Sequence, residues 1–287
     1  MIPRSFGTHD GSFHADEVTA CSLLLVFGLI DKDKIVRSRD PARLALCDYV
    51  CDVGGIYDPK KRRFDHHQVD YQGPLSSAGM ILLYLKEEGV IDSHLYELFN
   101  NLLILGVDAH DNGRGSLEAG VTTFSHVVSN FVPIEYEASK EELDEAFFAA
   151  LQFVVGHLDR MHRRFLYSQQ CGGLVRKVMA ESQNVLIFDR PIPWMDIFFE
   201  LEGELHPAQF VIMPAGGHWK LRGIPPNRNE RMKVRKQLPE EWAGLHEEAL
   251  YQVSGILGAV FCHKGRFISI WETKEAAVQA LNRAMEK

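Results

Sequence analysis

The sequence predicts an α/β fold: a mostly parallel sheet flanked by helices, followed by a smaller C-terminal α/β domain. Three observations point there. Short β-rich runs alternate with helical runs through the first third; a long capped helical stretch follows; strand-like segments then cluster again. At 287 residues the chain is long for one simple core and comfortable for two domains. The boundaries expected are 1–138, a helical connector 139–182, and 183–287.

Residues 5–9 read as a first strand. From about 15 to 29 the apolar residues Val18, Ala20, Leu23, Leu24, Leu25 and Phe27 are too dense for a surface helix, so this helix should be largely buried. Residues 35–38 form a strand, Asp40-Pro41 starts a turn or short helix, and the β-rich run 48–53 is stopped by Gly54-Gly55. Asp52 then falls at a strand's carboxyl end. Asp65-His66-His67 follows a basic turn, Lys60-Lys61-Arg62-Arg63, and sits at another strand edge. Residues 77–85 and 95–107 are helical by spacing, the second running into a loop, Asp108-Ala109-His110-Asp111-Asn112-Gly113. Ser139-x-x-Glu142 is a capping box opening a helix to about 182, with Gly172-Gly173 expected to interrupt or bend it. Strands are expected at 185–188, 197–201, 209–213 and 219–224, then a helix after Pro239, a hairpin across Lys264-Gly265, and a terminal helix capped by Thr273.

Composition narrows the function classes. A net charge of -8 argues against a protein that coats duplex nucleic acid, a mode that needs many Lys and Arg contacts to phosphate. Five cysteines without a Cys-x-x-Cys pair support neither a disulfide framework nor a zinc ribbon and suit a reducing compartment. The N-terminus lacks a secretory signal pattern, and no apolar run reaches about 18 residues. A cytoplasmic protein without a membrane span is expected.

The chemistry lies in acidic and imidazole residues at the ends of apolar runs. His9-x4-His14-x-Asp16, Asp52, His66 and Asp108 supply enough oxygen and nitrogen ligands for two divalent cations, with Asp52 the natural bridge. Such a pair activates a water for attack on phosphorus. His67 is expected to contact a nonbridging oxygen or protonate the leaving group, and Asp65 to orient a His ring by a hydrogen bond. Asp10 and Glu17 are assigned to capping or support, and Asp111 to bracing. Arg222 and His263, on strand-like segments of the smaller domain, are candidate substrate clamps.

Several longer stretches carry a resemblance: residues 7–17, Arg39-Asp40-Pro41, Asp52-Val53-Gly54-Gly55, Tyr57-Asp58-Pro59, Asp65-His66-His67-Gln68, Ser76-Ser77-Ala78-Gly79 and residues 107–113. Leu238-Pro239, Trp242-Ala243-Gly244-Leu245, Glu248-Ala249-Leu250 and Val253-Ser254-Gly255 continue it to the C-terminal part. Together they resemble the melanocyte-proliferating-gene type of the Asp-His-His (DHH) phosphoesterase superfamily, over nearly the whole chain. The resemblance implies a DHH phosphoesterase-like fold and a two-metal hydrolase using Mn2+ or Mg2+, with eukaryotic relatives acting as 3′-to-5′ RNA exonucleases. The wider superfamily reads His-x3-Asp-x-Asp in its first loop. Here His14 replaces the first Asp, a nitrogen-richer set in which Co2+, Zn2+ or Fe2+ competes better.

The expected activity is therefore a phosphodiesterase, a 3′-to-5′ exoribonuclease acting on RNA or short oligonucleotides. Domain 1–138 would hold the metals, Mn2+ first with Mg2+, Co2+ or Zn2+ as alternatives, and domain 183–287 the substrate. Alternatives are a pyrophosphatase or small-nucleotide phosphohydrolase, and a noncatalytic metal-dependent RNA or nucleotide binder. Homodimerisation is left open. Blander readings weigh on single residues: a lone His or Asp at a strand end is more often a turn or cap, Lys60 to Arg63 a solvated turn, and Trp219 core packing.

Overall fold

The computed structural model describes residues 1–115 and 118–286. The chain forms two compact units, Met1–Arg164 and Phe165–Lys287. Lys287, the last residue of the expected C-terminal domain, lies outside the described residues.

The first unit begins β1 (Ile2–Thr8), α1 (Ala15–Val26), β2 (Ile35–Arg37), α2 (Pro41–Leu44) and β3 (Cys47–Cys51). It continues β4 (Tyr57–Asp58), β5 (Arg63–Phe64), α3 (Ser77–Glu87), α4 (Ser93–Phe99), α5 (Leu105–Asp111) and α6 (Phe124–Ser129). Strand order is β2-β1-β3-β5-β4, parallel except at the short β4 edge. β3 is buried along its whole length, as a central parallel strand covered on both faces must be. In α1 every residue from Ala15 to Leu24 is buried, matching the absence of a polar stripe in its sequence.

The helix α7 (Lys140–Glu181) starts at the expected capping box: Ser139 N donates to Glu142 Oε2 at 2.7 Å, and Glu142 N to Ser139 Oγ at 3.2 Å. It runs without a break through Gly172-Gly173, where an interruption or a bend was expected. Buried Cys171 and Val175, on either side, pack into one apolar cluster, and that packing holds the helix through its weakest residues. The boundary between the two units falls inside this helix. Near its start, buried Arg37 at the end of β2 donates to Asp144 Oδ1 (2.6 Å), Leu143 O (3.1 Å) and Gly11 O.

The second unit contains β6 (Val185–Ile187), α8 (Trp194–Glu200), β7 (Phe210–Ala215), β8 (His218–Gly223), α9 (Glu247–Ser254), β9 (Ala259–Cys262), β10 (Ile268–Trp271) and α10 (Lys274–Glu286). Its sheet is ordered β6-β7-β8-β10-β9, with β6 parallel to β7 and the other pairings antiparallel. One face packs Leu221, Trp271 and Trp242 under α10; the other packs Val211 and Met213 with Cys171, Val175 and Phe198. Of the strand expected at 197–201, residues 197–200 are instead the end of α8 and Leu201 is its C-cap. Trp194, Ile197 and Phe198 are its buried residues, and their spacing of three and four is helical.

Candidate metal centre

Because β1, β3 and β5 run parallel, the segments that follow them emerge at one carboxyl edge of the sheet, where ligands of open α/β sheets bind. His9 follows β1, Asp52 follows β3, and Asp65-His66-His67 follows β5. Asp52 is in the left-handed region, φ 58°, which Asp tolerates better than most residues. Gly54 and Gly55, φ 101° and 66°, then turn the chain so that Gly55 N donates to Asp65 Oδ2 at 2.6 Å.

Two helices complete the edge. Asp16 and Glu17 stand in the first turn of α1, both wholly buried. The N-terminus of α3 has unpaired backbone donors, and two carboxylates receive them. Asp16 accepts from Ser77 N (2.9 Å), Ala78 N and Ser76 Oγ. Asp108, on α5, accepts at Oδ1 from Ser76 N (3.0 Å), Ser76 Oγ (2.7 Å) and Gly79 N (3.1 Å). Its other oxygen lies where a Gly79 side chain would be: a Cβ there would stand 2.2 Å from Asp108 Oδ2.

Three overlapping groups result, each with its candidate ligand atoms within 4.8 Å of one another: His9, His14, Glu17 and Asp52; Asp52, His66 and His67; and Asp16, His66 and Asp111. Asp52 links the first two and His66 the last two. His9 Nε2 is 3.2 Å from both Glu17 Oε1 and Asp52 Oδ2. His66 Nε2 is 2.9 Å from Asp111 Oδ2, 3.5 Å from Asp52 Oδ1 and 3.9 Å from Asp16 Oδ2. Despite these short separations, His66 Nε2, Asp52 Oδ1 and Glu17 Oε2 are buried without a hydrogen-bond partner. Buried polar atoms aimed at one another without bonding are the pattern a cation between them would satisfy. Mixed imidazole and carboxylate donors fit Mn2+, Co2+ or Zn2+.

The electrostatics are those of a crowded acidic site. Burial, then repulsion from Asp52 and Asp111, holds the Asp16 carboxyl well above its ordinary pKa. Burial opposes charge on His9 and His66, but the close carboxylates outweigh it: Asp52 and Glu17 raise His9 to about 10, and Asp111 and Asp52 raise His66 to about 10. Burial of Asp52 is likewise outweighed by His66 and His9, which lower it to about 2.

Of the residues expected as ligands, His9, His14, Asp16, Asp52 and His66 belong to these groups, and Asp108 does not. Sequence alone puts Asp108 beside the ion and Asp111 behind it. In the structure Asp111 meets His66 and Asp16, while Asp108 is turned toward α3. The segment expected as a loop is helix α5, and the donors of Ser76 and Gly79 capture Asp108 Oδ1, while its Oδ2 is buried without a hydrogen-bond partner. Glu17, assigned to capping, does bond His14 N at 2.9 Å, yet it also contacts His9. Its position three residues after His14 in a helical first turn was the available signal.

His67 is exposed, and its Nδ1 lies 2.9 Å from Asp65 Oδ1, the imidazole-orienting hydrogen bond expected of Asp65. An open cavity of about 720 Å3 lies over these groups, lined by His9, His14, Asp52, Asp65, His67 and Arg39 among others. A larger cavity of about 950 Å3 is lined by Glu135, Glu137, Glu142 and Glu145 with alanines, a surface that repels a phosphate ester. In the second unit, Arg222 and His263 both meet Phe267: the guanidinium is 5.8 Å from the ring centroid and the imidazole 4.5 Å. Arg222 Nε is buried without a hydrogen-bond partner. Among the described residues no helix is long and apolar enough to cross a membrane.

Comparison with known proteins places these residues in context. A family model, MYG1_exonuc, described as "Uncharacterised protein family (UPF0160)", matches residues 5–285. A "MYG1 protein" of Chlamydia pneumoniae is 52% identical over 286 residues, covering 100% of this chain and 98% of the relative. "MYG1 exonuclease" of Rattus norvegicus is 33% identical, covering 97% and 84% of the two chains, and that of Homo sapiens is 33% identical, covering 97% and 85%. Among solved structures, RecJ of Thermus thermophilus in complex with Mn2+ aligns with 99% of this chain and 52% of its own at 16% identity, with a TM-score of only 0.28. A family match across nearly the full length, with relatives above 30% identity over the same span, means that the chain belongs to the MYG1 family.

Proposed function

We propose that this protein is a divalent-metal-dependent phosphodiesterase, an exonuclease that removes nucleotides from RNA or short oligonucleotides in the 3′-to-5′ direction. The observation that carries the hydrolytic reading is Asp52, shared between two imidazole and carboxylate groups whose buried polar atoms lack partners. Relatives bearing the name "MYG1 exonuclease" support the nuclease class. The 3′ polarity and the RNA preference come from the sequence resemblance.

Two bound divalent cations, Mn2+ foremost, would supply a water deprotonated near neutral pH and neutralise charge on the attacked phosphate. His9, His14, Glu17 and Asp52 would hold one, and Asp16, Asp52, His66 and Asp111 the other. Backbone donors of α3 hold the Asp16 carboxylate in place, which supports that role. Asp65 accepts from His67 Nδ1 and from His67 N, so the ring presents Nε2 outward. When the ring carries a second proton, as imidazolium, Nε2–H can donate to a nonbridging oxygen or pass that proton to the leaving oxygen. Arg222 and His263, which both pack near Phe267, would be the substrate contacts of the second unit.

The test uses protein stripped of metal and restored with Mn2+, and short RNA labelled at either end. Stepwise loss from the 3′ end, abolished by Asp52→Ala, is expected. No metal-dependent cleavage by the parent, or undiminished cleavage by Asp52→Ala, overturns the reading. Turnover of pyrophosphate or dinucleotides with longer RNA untouched would move the substrate class and keep the chemistry.

A further inference from the structure

Among the described residues, the cavity over these candidate metal groups is lined by carboxylates, imidazoles, small residues and one permanent cation, Arg39. Its backbone is fixed on both sides. Ser38 N donates to Thr8 O at 2.8 Å, tying the segment to β1. Asp40 N donates to Ser38 Oγ at 3.1 Å, and the Asp40 carboxylate accepts from Ala42 N as the cap of α2. The side chain, by contrast, makes only a long ion pair. Among the described residues its guanidinium makes no hydrogen bond, its closest carboxylate oxygen is Asp10 Oδ1 at 3.8 Å, and it is 67% exposed.

The contrast with neighbouring arginines sharpens this. Arg37, two residues earlier, has its donors taken by Asp144, Leu143 and Gly11. Arg62 bonds Asp48, and Arg63 bonds the carbonyls of Cys47 and Asp48. A guanidinium carries five donors in a planar fork that matches two oxygens of a phosphate. One held only by a long ion pair, and lining an acidic cavity, is placed to receive an anion the carboxylates alone would repel.

We propose that Arg39 is a phosphate clamp: its guanidinium leaves Asp10 and takes two nonbridging oxygens of a substrate phosphodiester, setting the strand's register in the cavity. This rests on the phosphoesterase reading for the identity of the ligand. No covalent step is involved; the clamp acts in binding.

The probe is a fluorescein-labelled RNA trinucleotide, followed by anisotropy with metal-free protein at low salt, beside an uncharged methylphosphonate version of the same trinucleotide. Arg39→Ala should weaken the phosphodiester probe about tenfold or more, the size of a lost charge-assisted hydrogen-bonded pair, and leave the methylphosphonate probe unchanged. Arg39→Lys should recover part of the loss, because a point charge replaces the fork. Thermal unfolding and Mn2+ affinity by calorimetry should match the parent, since Arg39 touches none of the buried groups. Equal affinity of parent and Arg39→Ala for the phosphodiester, an equal loss for both probes, or no binding of the phosphodiester by the parent up to millimolar protein overturns the clamp. An Arg39-dependent preference for the charged probe in a protein that hydrolyses no phosphodiester would keep the clamp and remove the enzymatic reading.

Discussion

Asp108 and Asp111, three residues apart on α5, share a helix face but not a partner. Asp108 takes three donors from the start of α3, while Asp111 stands against the His66 imidazole. Asp111→Asn is therefore expected to lower Mn2+ affinity by more than about 100-fold, and Asp108→Asn by about 10- to 100-fold, the range for a residue that orients ligands. Calorimetric titration of both variants checks the order, and the reverse order would return Asp108 to the ion. Gly79→Ala tests the same arrangement sterically. Its Cβ would stand 2.2 Å from Asp108 Oδ2, so the variant should lose about 1–3 kcal/mol in urea unfolding, as overpacking does. At this scale the sequence made most of the site legible, because His9, Asp52 and His66 each follow a strand in a recognisable motif. Glu17 and Asp111 were not, because a carboxylate on a helix looks like a cap or brace until the residues facing it across the fold are known.

Among the elements, those whose pattern is local were readable. The capping box at Ser139 and Glu142 starts α7 where expected, and the density of apolar residues in α1 corresponds to the burial of Ala15 to Leu24. Segments in which tertiary packing decides were not. The apolar run at 197–201 suits a strand by composition, and only the burial of Trp194 with Ile197 and Phe198 reveals its helical face. Gly172-Gly173 look like a break, yet neighbours anchored in the core hold them helical. That yields a prediction of opposite sign to Gly79. Gly173 has open space around an added Cβ, and at Gly172 the nearest atom would be Ile197 Cδ1 at an ordinary 3.9 Å. Either Gly→Ala substitution should stabilise the protein by about 0.5–1 kcal/mol, read as a higher urea midpoint with unchanged slope. A lower midpoint would mean that α7 needs its glycines for something other than continuity.

The molecule as a whole carries a net charge of -8 and concentrates buried carboxylates at one sheet edge. Without a cation, protons on the imidazoles must balance that charge. His9 and His66 rise from 6.5 to about 10 because Asp52, Glu17 and Asp111 outweigh the opposing effect of burial. A histidine raised in the folded state contributes stability that is complete below its unfolded value near 6.5 and lost as pH rises through about 10. The metal-free protein should therefore melt at progressively lower temperature across that window. Asp52, lowered to about 2, contributes stability that disappears only as pH falls from the ordinary 3.8 through about 2, outside the window. An imidazole must lose its proton to bind a metal. Mn2+ binding at pH 7.5 should consequently release about two protons, one from each ring, and its affinity and stabilisation should both increase toward pH 9. Calorimetry in two buffers of different ionisation enthalpy measures the release directly. Binding without proton release would mean that the ion enters away from His9 and His66, and the metal centre drawn from Asp52 outward would have to be abandoned.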